Sequence, residues 1–387
     1  MELNEYKDRI ERADYIICGA GFFGATIAER IATELGKKVL VLDRRSHIGG
    51  NSYSEDDPET GVHFHTYGTH IFHTSNEKVW DYVNRFTEFN GYFHQVLTTY
   101  KGKVYQMPIN LETINMFYDV QLRPYEVDAF LKKEIEKENI KEPKNFEEKA
   151  ITMIGRPLYE AFIKGYTMKQ WQKDPKDLPA SILNRLPFRK SYNENYYFSR
   201  WQGIPTDGYG AIFEKMLKND NIDVLLNVDF FDIKAHIPDS KKIVYTGPVD
   251  RYFDYKHGTL EWRSIRFEKE AVPYDDYQGS SVMNYAELEV EFTRIHEPKH
   301  LHPEKDHKEG TSLIIKEFSE VNPEEPYYPI NTPDNQTVYQ KYLDETKSEK
   351  NVIFGGRLGE YKYFDMHQSI AKALATYETK IKAVEKE

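Results

Sequence analysis

A chain of 387 residues is too long for one comfortable hydrophobic core, and at roughly 150 residues per domain it predicts two or three domains. The formal charge of −11 removes any general attraction to nucleic acid or an anionic membrane, so cations that bind phosphate must be gathered locally, in a cleft. The single cysteine, Cys18, excludes an intrachain disulfide and a cysteine-rich metal site, while 29 tyrosines supply flat apolar faces that also carry a hydroxyl.

In chain order, Met1 to Glu5 is polar and acidic with no sign of a secretory leader, and the longest weakly polar run, Tyr15 to Ala28, is broken by glycine. A cytoplasmic protein without membrane insertion is expected. Asp14 to Cys18 predicts a strand, Phe22 to Leu35 a helix and Lys38 to Leu42 a second strand, a β-α-β opening. Asn76 to Phe86 has helical spacing, and Lys101-Gly102 turns a hairpin between Val96–Tyr100 and Lys103–Gln106. Helical patterns dominate from Leu111 to about Trp171. The stretch from Lys173 to Pro187, with its prolines, reads as a loop able to move. A helix over Ala211–Leu217 is followed by β-prone segments at Val224–Leu226, Ile243–Thr246, Trp262–Phe267, Ser281–Tyr285 and Leu313–Phe318. The opening style returns at the end, with a strand over Asn351–Phe354 and a helix from about Met366 to Lys380.

This order predicts an α/β protein. Its Rossmann-type domain is assembled from both chain ends (1–90, 200–260 and 340–387), with an inserted helical domain (108–172) and an inserted antiparallel β-sheet domain for substrate (91–107, 173–199 and 261–339).

Gly19-Ala20-Gly21-Phe22-Phe23-Gly24 follows the first strand and opens the helix, and Asp43 ends the second strand, which together form a dinucleotide fingerprint. Gly19 permits the tight turn, Gly21 lets backbone N–H groups approach a pyrophosphate at the helix N-terminus, Gly24 allows close packing, and Asp43 can accept from ribose hydroxyls. The fingerprint alone does not separate FAD from NAD. Arg44 through Asn51 follows at once, however, with paired Gly49-Gly50, and this extension resembles the one flavoproteins place beside the FAD diphosphate. Gly355-Gly356-Arg357-Leu358-Gly359 is the other flavin-side element, where a helix N-terminus could favour an anionic reduced ring. His63, His65, His70 and His73 lack a matching acid pattern, so no metal site is expected.

Four further segments carry unusual density: Lys164-Gly165-Tyr166-Thr167-Met168-Lys169-Gln170-Trp171, Leu178 through Pro187, Phe292-Thr293-Arg294-Ile295, and Gly356 through Met366. With Tyr67 through Thr74, they resemble the signatures of bacterial UDP-galactopyranose mutases, in order and over nearly the whole chain. The resemblance implies FAD, active when reduced, held by the fingerprint residues together with Arg44, Asn51, Gly356, Arg357, Asp365 and Met366. It implies a UDP-sugar whose uracil stacks on Tyr166 and Trp171 near Phe162 and Thr167. Arg185 and Arg294 would bind the diphosphate, and Tyr197, Tyr328 and Tyr363 would donate hydroxyls to it. Arg263 and Asn284 would complete the substrate side, with His70 and Arg357 beside the flavin ring.

The implied reaction is an isomerisation of UDP-galactopyranose and UDP-galactofuranose, through a covalent adduct of the sugar anomeric carbon with N5 of reduced FAD, UDP leaving and returning. An external reductant such as NAD(P)H is implied, and a homodimer is left open. Three alternatives stand: a flavin oxidoreductase of amine-oxidase type, a mutase acting on UDP-N-acetylgalactosamine, and a non-catalytic nucleotide-sugar binder. The pattern departs from the family at Gln172, where a glycine is expected, at Trp201, and at Thr69, which replaces a common proline or alanine; a changed sugar would accommodate each.

Overall fold

All four residues of Tyr15–Cys18 are buried, the mark of a strand covered on both faces. In the computed structural model, which describes residues 3–185, 188–322 and 325–386, that strand lies at the centre of a five-stranded parallel sheet. Across the sheet the order is Val352–Phe354, Lys242–Tyr245, Tyr15–Cys18, Val39–Leu42 and Ile222–Leu225. Three strands come from outside the N-terminal β-α-β unit, two from the middle of the chain and one from near its C-terminal end, so the sheet joins both chain ends through a central segment. One face packs on the helices Phe22–Arg30, Gly208–Leu217 and Met366–Thr376 through Phe22, Ile27, Phe213 and Ile370. The other is covered by Ile10, from the helix Leu3–Arg12, together with Phe230, Ile233 and Tyr252.

A seven-stranded sheet forms a second layer. Its order is Tyr328–Pro329, Trp262–Val272, Ser312–Glu320, Arg294–His296, Val282–Tyr285, Val96–Tyr100 and Lys103–Met107. Every pair is antiparallel except Val282–Tyr285 with Val96–Tyr100. The helices Leu111–Tyr118, Val127–Glu136, Phe146–Ile154 and Gly165–Trp171 gather around a third core containing Ile114, Leu131, Ile151 and Phe162. The stretch read as a loop after Lys173 is folded into 3-10 turns at Pro175–Asp177 and Ala180–Arg185, with Leu178 and Leu183 buried in that same helical core. Leu186 and Pro187 lie outside the described residues.

A helix at Pro333–Thr346, passed over in the chain-order reading, is started by Thr332, whose hydroxyl accepts from Asn335 N, and by proline at its first position.

Two of the fingerprint glycines, Gly19 and Gly24, leave no room for a side chain. Gly19 sits at φ +113°, and Gly24 crosses the first strand so closely that a Cβ would lie 2.0 Å from the Gly19 carbonyl oxygen and 3.1 Å from Ile17 Cγ2. Gly24→Ala must therefore push helix from strand, and is expected to destabilise the fold by about 1–3 kcal/mol; a lowered denaturant midpoint at unchanged m-value would record it.

Candidate active site

The C-terminal ends of the parallel strands open into a cavity of about 790 Å³ whose wall includes Cys18, Leu42 and Tyr245, each the last residue of its strand. The helix Phe22–Arg30 begins there without a side-chain cap, so its first N–H groups and positive dipole end are available to an anion. Asp43 is locked in place: its carboxylate accepts from Ala20 N at 2.8 Å and from Arg45 N at 3.0 Å, which still leaves lone pairs for a hydroxyl. Every cofactor-side residue read from sequence lines this one cavity: Gly19, Gly21, Phe22, Gly24, Asp43, Arg44, Gly49, Gly50 and Asn51 at one end, Gly356, Arg357, Asp365 and Met366 at the other.

A clamp spans the first end. Glu325 accepts from Arg44 Nη2 at 2.9 Å and from Arg45 Nη2 at 2.8 Å, and Arg45 lies 4.0 Å over the Tyr67 ring while bonding Asn51. Two segments far apart in sequence are thereby tied together beside the cavity.

At the other end, His70 is held from three sides. Its ring Nδ1 lies 2.5 Å from Gly68 O, its N–H donates to His65 Nδ1, and its carbonyl accepts from Tyr209 OH. Since a carbonyl only accepts, Nδ1 carries the proton. Burial, reinforced by Arg357 against the opposing Gly68 contact, holds its pKa down at about 4, so the imidazole is neutral at pH 7. Arg357 donates to Tyr327 O and Phe364 O and lies 4.7 Å from the Tyr363 ring, which stacks on Tyr328.

A second cavity of about 350 Å³ adjoins the first, lined by Tyr166, Gln170, Trp171, Pro179, Ile182 and Arg263. Arg294, Tyr328 and Tyr363 line both. Arg294 donates to Tyr166 OH, and its Nε lies 3.4 Å from Glu317 Oε1 on the neighbouring strand. Burial would raise the Glu317 carboxyl, but Arg294 and the His296 contact outweigh it and hold it at about 2. Arg263, 3% exposed, has no ion pair among the described residues; it donates to Trp171 O and Gln172 Oε1. Gln172 ends the helix in the left-handed region at φ +48°, where glycine would be unstrained, and its side chain uses that position to reach Arg263 and Ser319 O. The same helix is fastened by Lys169, whose ammonium lies 2.7–2.9 Å from four carbonyls, those of Tyr285, Glu287, Val290 and Phe292, and shares its three N–H donors among them.

Other residues named from sequence fall elsewhere. Phe162 is in the helical core among Tyr100, Tyr105 and Phe117, Thr167 is buried, and Asn284 lies on the strand beside Arg294; none lines either cavity. Tyr197 lines the first cavity, stacked on His73. Arg185 closes a 3-10 turn, and its side chain lies outside the described residues. The four histidines weighed as a metal site do not converge: His63 bonds Asp56 and Ser54, His65 bonds the backbone of His70, and His73 meets Asp365 and His367 instead. Sequence reading missed Glu317, His296 and Lys169.

A Rossmann-type dinucleotide domain joined to an arginine- and tyrosine-walled second cavity defines a dinucleotide-dependent enzyme class. A family model described as NAD(P)-binding Rossmann-like domain matches residues 17–86, and one described as UDP-galactopyranose mutase matches residues 161–363. The chain is 45% identical, over 93% of each sequence, to a probable UDP-galactopyranose mutase of Klebsiella pneumoniae. It is also 40% identical to a dTDP-fucopyranose mutase of Escherichia coli, over 95% of this chain and 98% of that one. A crystal structure of reduced UDP-galactopyranose mutase shares the fold, with a TM-score of 0.71 over 95% of both chains at 17% identity. The chain belongs to the UDP-galactopyranose mutase family.

Desolvated imidazoles set a pH dependence. Burial, first among the causes in each case, lowers His70 and His73 to about 4 and His94 to about 3, from an ordinary 6.5. The unfolded chain therefore binds protons that the fold does not, so the stability these groups contribute is complete above pH 6.5 and is lost as pH falls toward 4. Unfolding at pH 5.5 is expected to take up at least about two to three protons, since burial lowers His47, His63, His65, His296, His302 and His367 as well, measured as the slope of stability against pH.

Proposed function

We propose that the chain interconverts UDP-galactopyranose and UDP-galactofuranose, using FAD in the larger cavity and binding UDP in the smaller. The observation that carries this reading is the shared wall: Arg294, Tyr328 and Tyr363 face both cavities, where a diphosphate joining a sugar at the cofactor to a base in the side cavity would pass. FAD fits the residues present: the uncapped helix start suits its pyrophosphate, Asp43 its ribose, and Gly50, where a Cβ would lie 3.2 Å from Gly21 Cα, keeps the two glycine turns in close apposition. When bound and reduced, the flavin supplies a nucleophilic nitrogen able to displace UDP from the anomeric carbon.

The chain's own residues do the rest. Tyr166 and Trp171 offer aromatic faces to the base. Arg294, with Arg185, neutralises the diphosphate while it is a leaving group, a charge-assisted and bidentate task for which lysine is no substitute. Tyr328 and Tyr363, each near the Arg357 guanidinium, supply hydroxyls at the junction. Neutral His70 can accept a hydrogen bond without adding charge beside the cofactor. Among the described residues no helix is long and apolar enough to cross a membrane, and we place the reaction in the cytoplasm with a diffusible reductant such as NAD(P)H.

The identity to a dTDP-fucopyranose mutase favours a second reading, a dTDP-linked 6-deoxy sugar at the same site. Anaerobic incubation with UDP-galactofuranose, with and without dithionite, should give pyranose only after reduction; conversion of the dTDP sugar alone would select the second reading, and oxidised product would select an oxidoreductase. Arg294→Ala is expected to lower kcat/KM by about 100- to 1,000-fold with the flavin still bound, measured by steady-state kinetics.

A further inference from the structure

A file of polar contacts runs along the wall of the larger cavity, from the segment that carries His70 to the arginine at the junction. Thr69 Oγ1 lies 2.7 Å from His296 Nδ1, and His296 Nε2 lies 2.9 Å from Glu317 Oε2. Glu317 Oε1 is the oxygen that faces Arg294 Nε. His296 is 2% exposed and Glu317 4%, so water does not substitute for a missing partner. Thr69, Arg294, His296 and Glu317 all line the cavity.

The chemistry fixes the direction of each bond. An ionised carboxylate can only accept, so His296 carries its proton on Nε2. A neutral imidazole then presents Nδ1 as an acceptor, which the Thr69 hydroxyl fills by donating. Without that hydroxyl Nδ1 is a buried, unpaired acceptor, a situation costly enough to favour rotation or the other tautomer. Either change removes the proton that His296 gives Glu317, leaving the carboxylate with Thr293 Oγ1 at 3.3 Å and Arg294. The arginine would then be drawn toward Glu317 and away from the junction.

We propose that Thr69 and His296 are positioning residues for Arg294: the hydroxyl selects the imidazole tautomer, the imidazole orients Glu317, and Glu317 sets the guanidinium where the diphosphate of UDP is bound. The assignment rests on the mutase reading for the identity of the ligand. It gives Thr69, one of the departures from the family pattern, a function that alanine or proline could not perform.

The test is calorimetric titration of UDP into the oxidised, flavin-loaded full-length protein. Thr69→Val removes the hydroxyl at nearly constant volume and should weaken UDP about fivefold, while Thr69→Ser should stay within about twofold of the unsubstituted chain. In an Arg294→Ala background Thr69→Val should have no further effect, because its route to the ligand has been removed. Unchanged affinity in Thr69→Val, or the same loss with and without Arg294, would overturn the proposal. Should Thr69→Val fail to retain flavin, the comparison moves to His296: Gln can donate to Glu317 and accept from Thr69, and should bind UDP more tightly than His296→Phe; equal affinities would again overturn it. If the unsubstituted chain binds UDP but converts no sugar, the mutase reading fails while the coupling is still judged by affinity; if it binds no UDP, both fail.

Discussion

The alignment of Tyr15–Cys18 beside Lys242–Tyr245 is the constraint on which the rest of the molecule depends. Parallel neighbours cannot be joined by a tight turn, so the chain must leave the sheet and return. Here the departures are long enough to hold whole structural layers. The helical core forms between Val39–Leu42 and Ile222–Leu225, and most of the large antiparallel sheet between Lys242–Tyr245 and Val352–Phe354. Each excursion leaves from the carboxyl edge of this sheet, and residues of both line the crevice there, where an open α/β sheet binds ligands. Arg294 and Tyr328 reach the same space as Gly19 and Asp43 in this way, and Tyr363 enters it from the segment that follows the last strand.

The protein is acidic overall, yet the cations at this site come already engaged. Arg44 and Arg45 share Glu325, Arg294 faces Glu317, Arg357 is fixed by two carbonyls, and Arg263 by a carbonyl and an amide oxygen. A guanidinium whose direction is already set loses less freedom when an anion arrives than one that must first be found among rotamers. The negative surplus elsewhere makes such local arrangements necessary, since no diffuse positive field exists to hold a diphosphate.

What could be read from the sequence was whatever has a local cause. The glycine turn, the strand before it and the acid after it are set by neighbouring residues, and they occur as expected. The aromatic and arginine segments could be placed in a site only through the family resemblance, and the structure brings Tyr166, Trp171, Arg263, Arg294, Tyr328 and Tyr363 to one side cavity while leaving Phe162 in the helical core. Glu317 looked like any polar residue in a β-prone run; its signal, an acid at an inward-facing position of Ser312–Glu320, needs the register to be known first. Lys169 was unreadable for a different reason. Its partners are backbone carbonyls 116 to 123 positions away, and a carbonyl carries no residue-type signature.

That ammonium group occupies the place a small monovalent ion would take in a ring of carbonyl oxygens. A free ion would come and go with its concentration in the surroundings, and the loop it organised would loosen whenever it left. Tied to its own helix by a side chain, the charge in this ring cannot be dialysed away or exchanged for sodium. The segment leading into the strand of Arg294 is thus held by a cation that belongs to the chain itself.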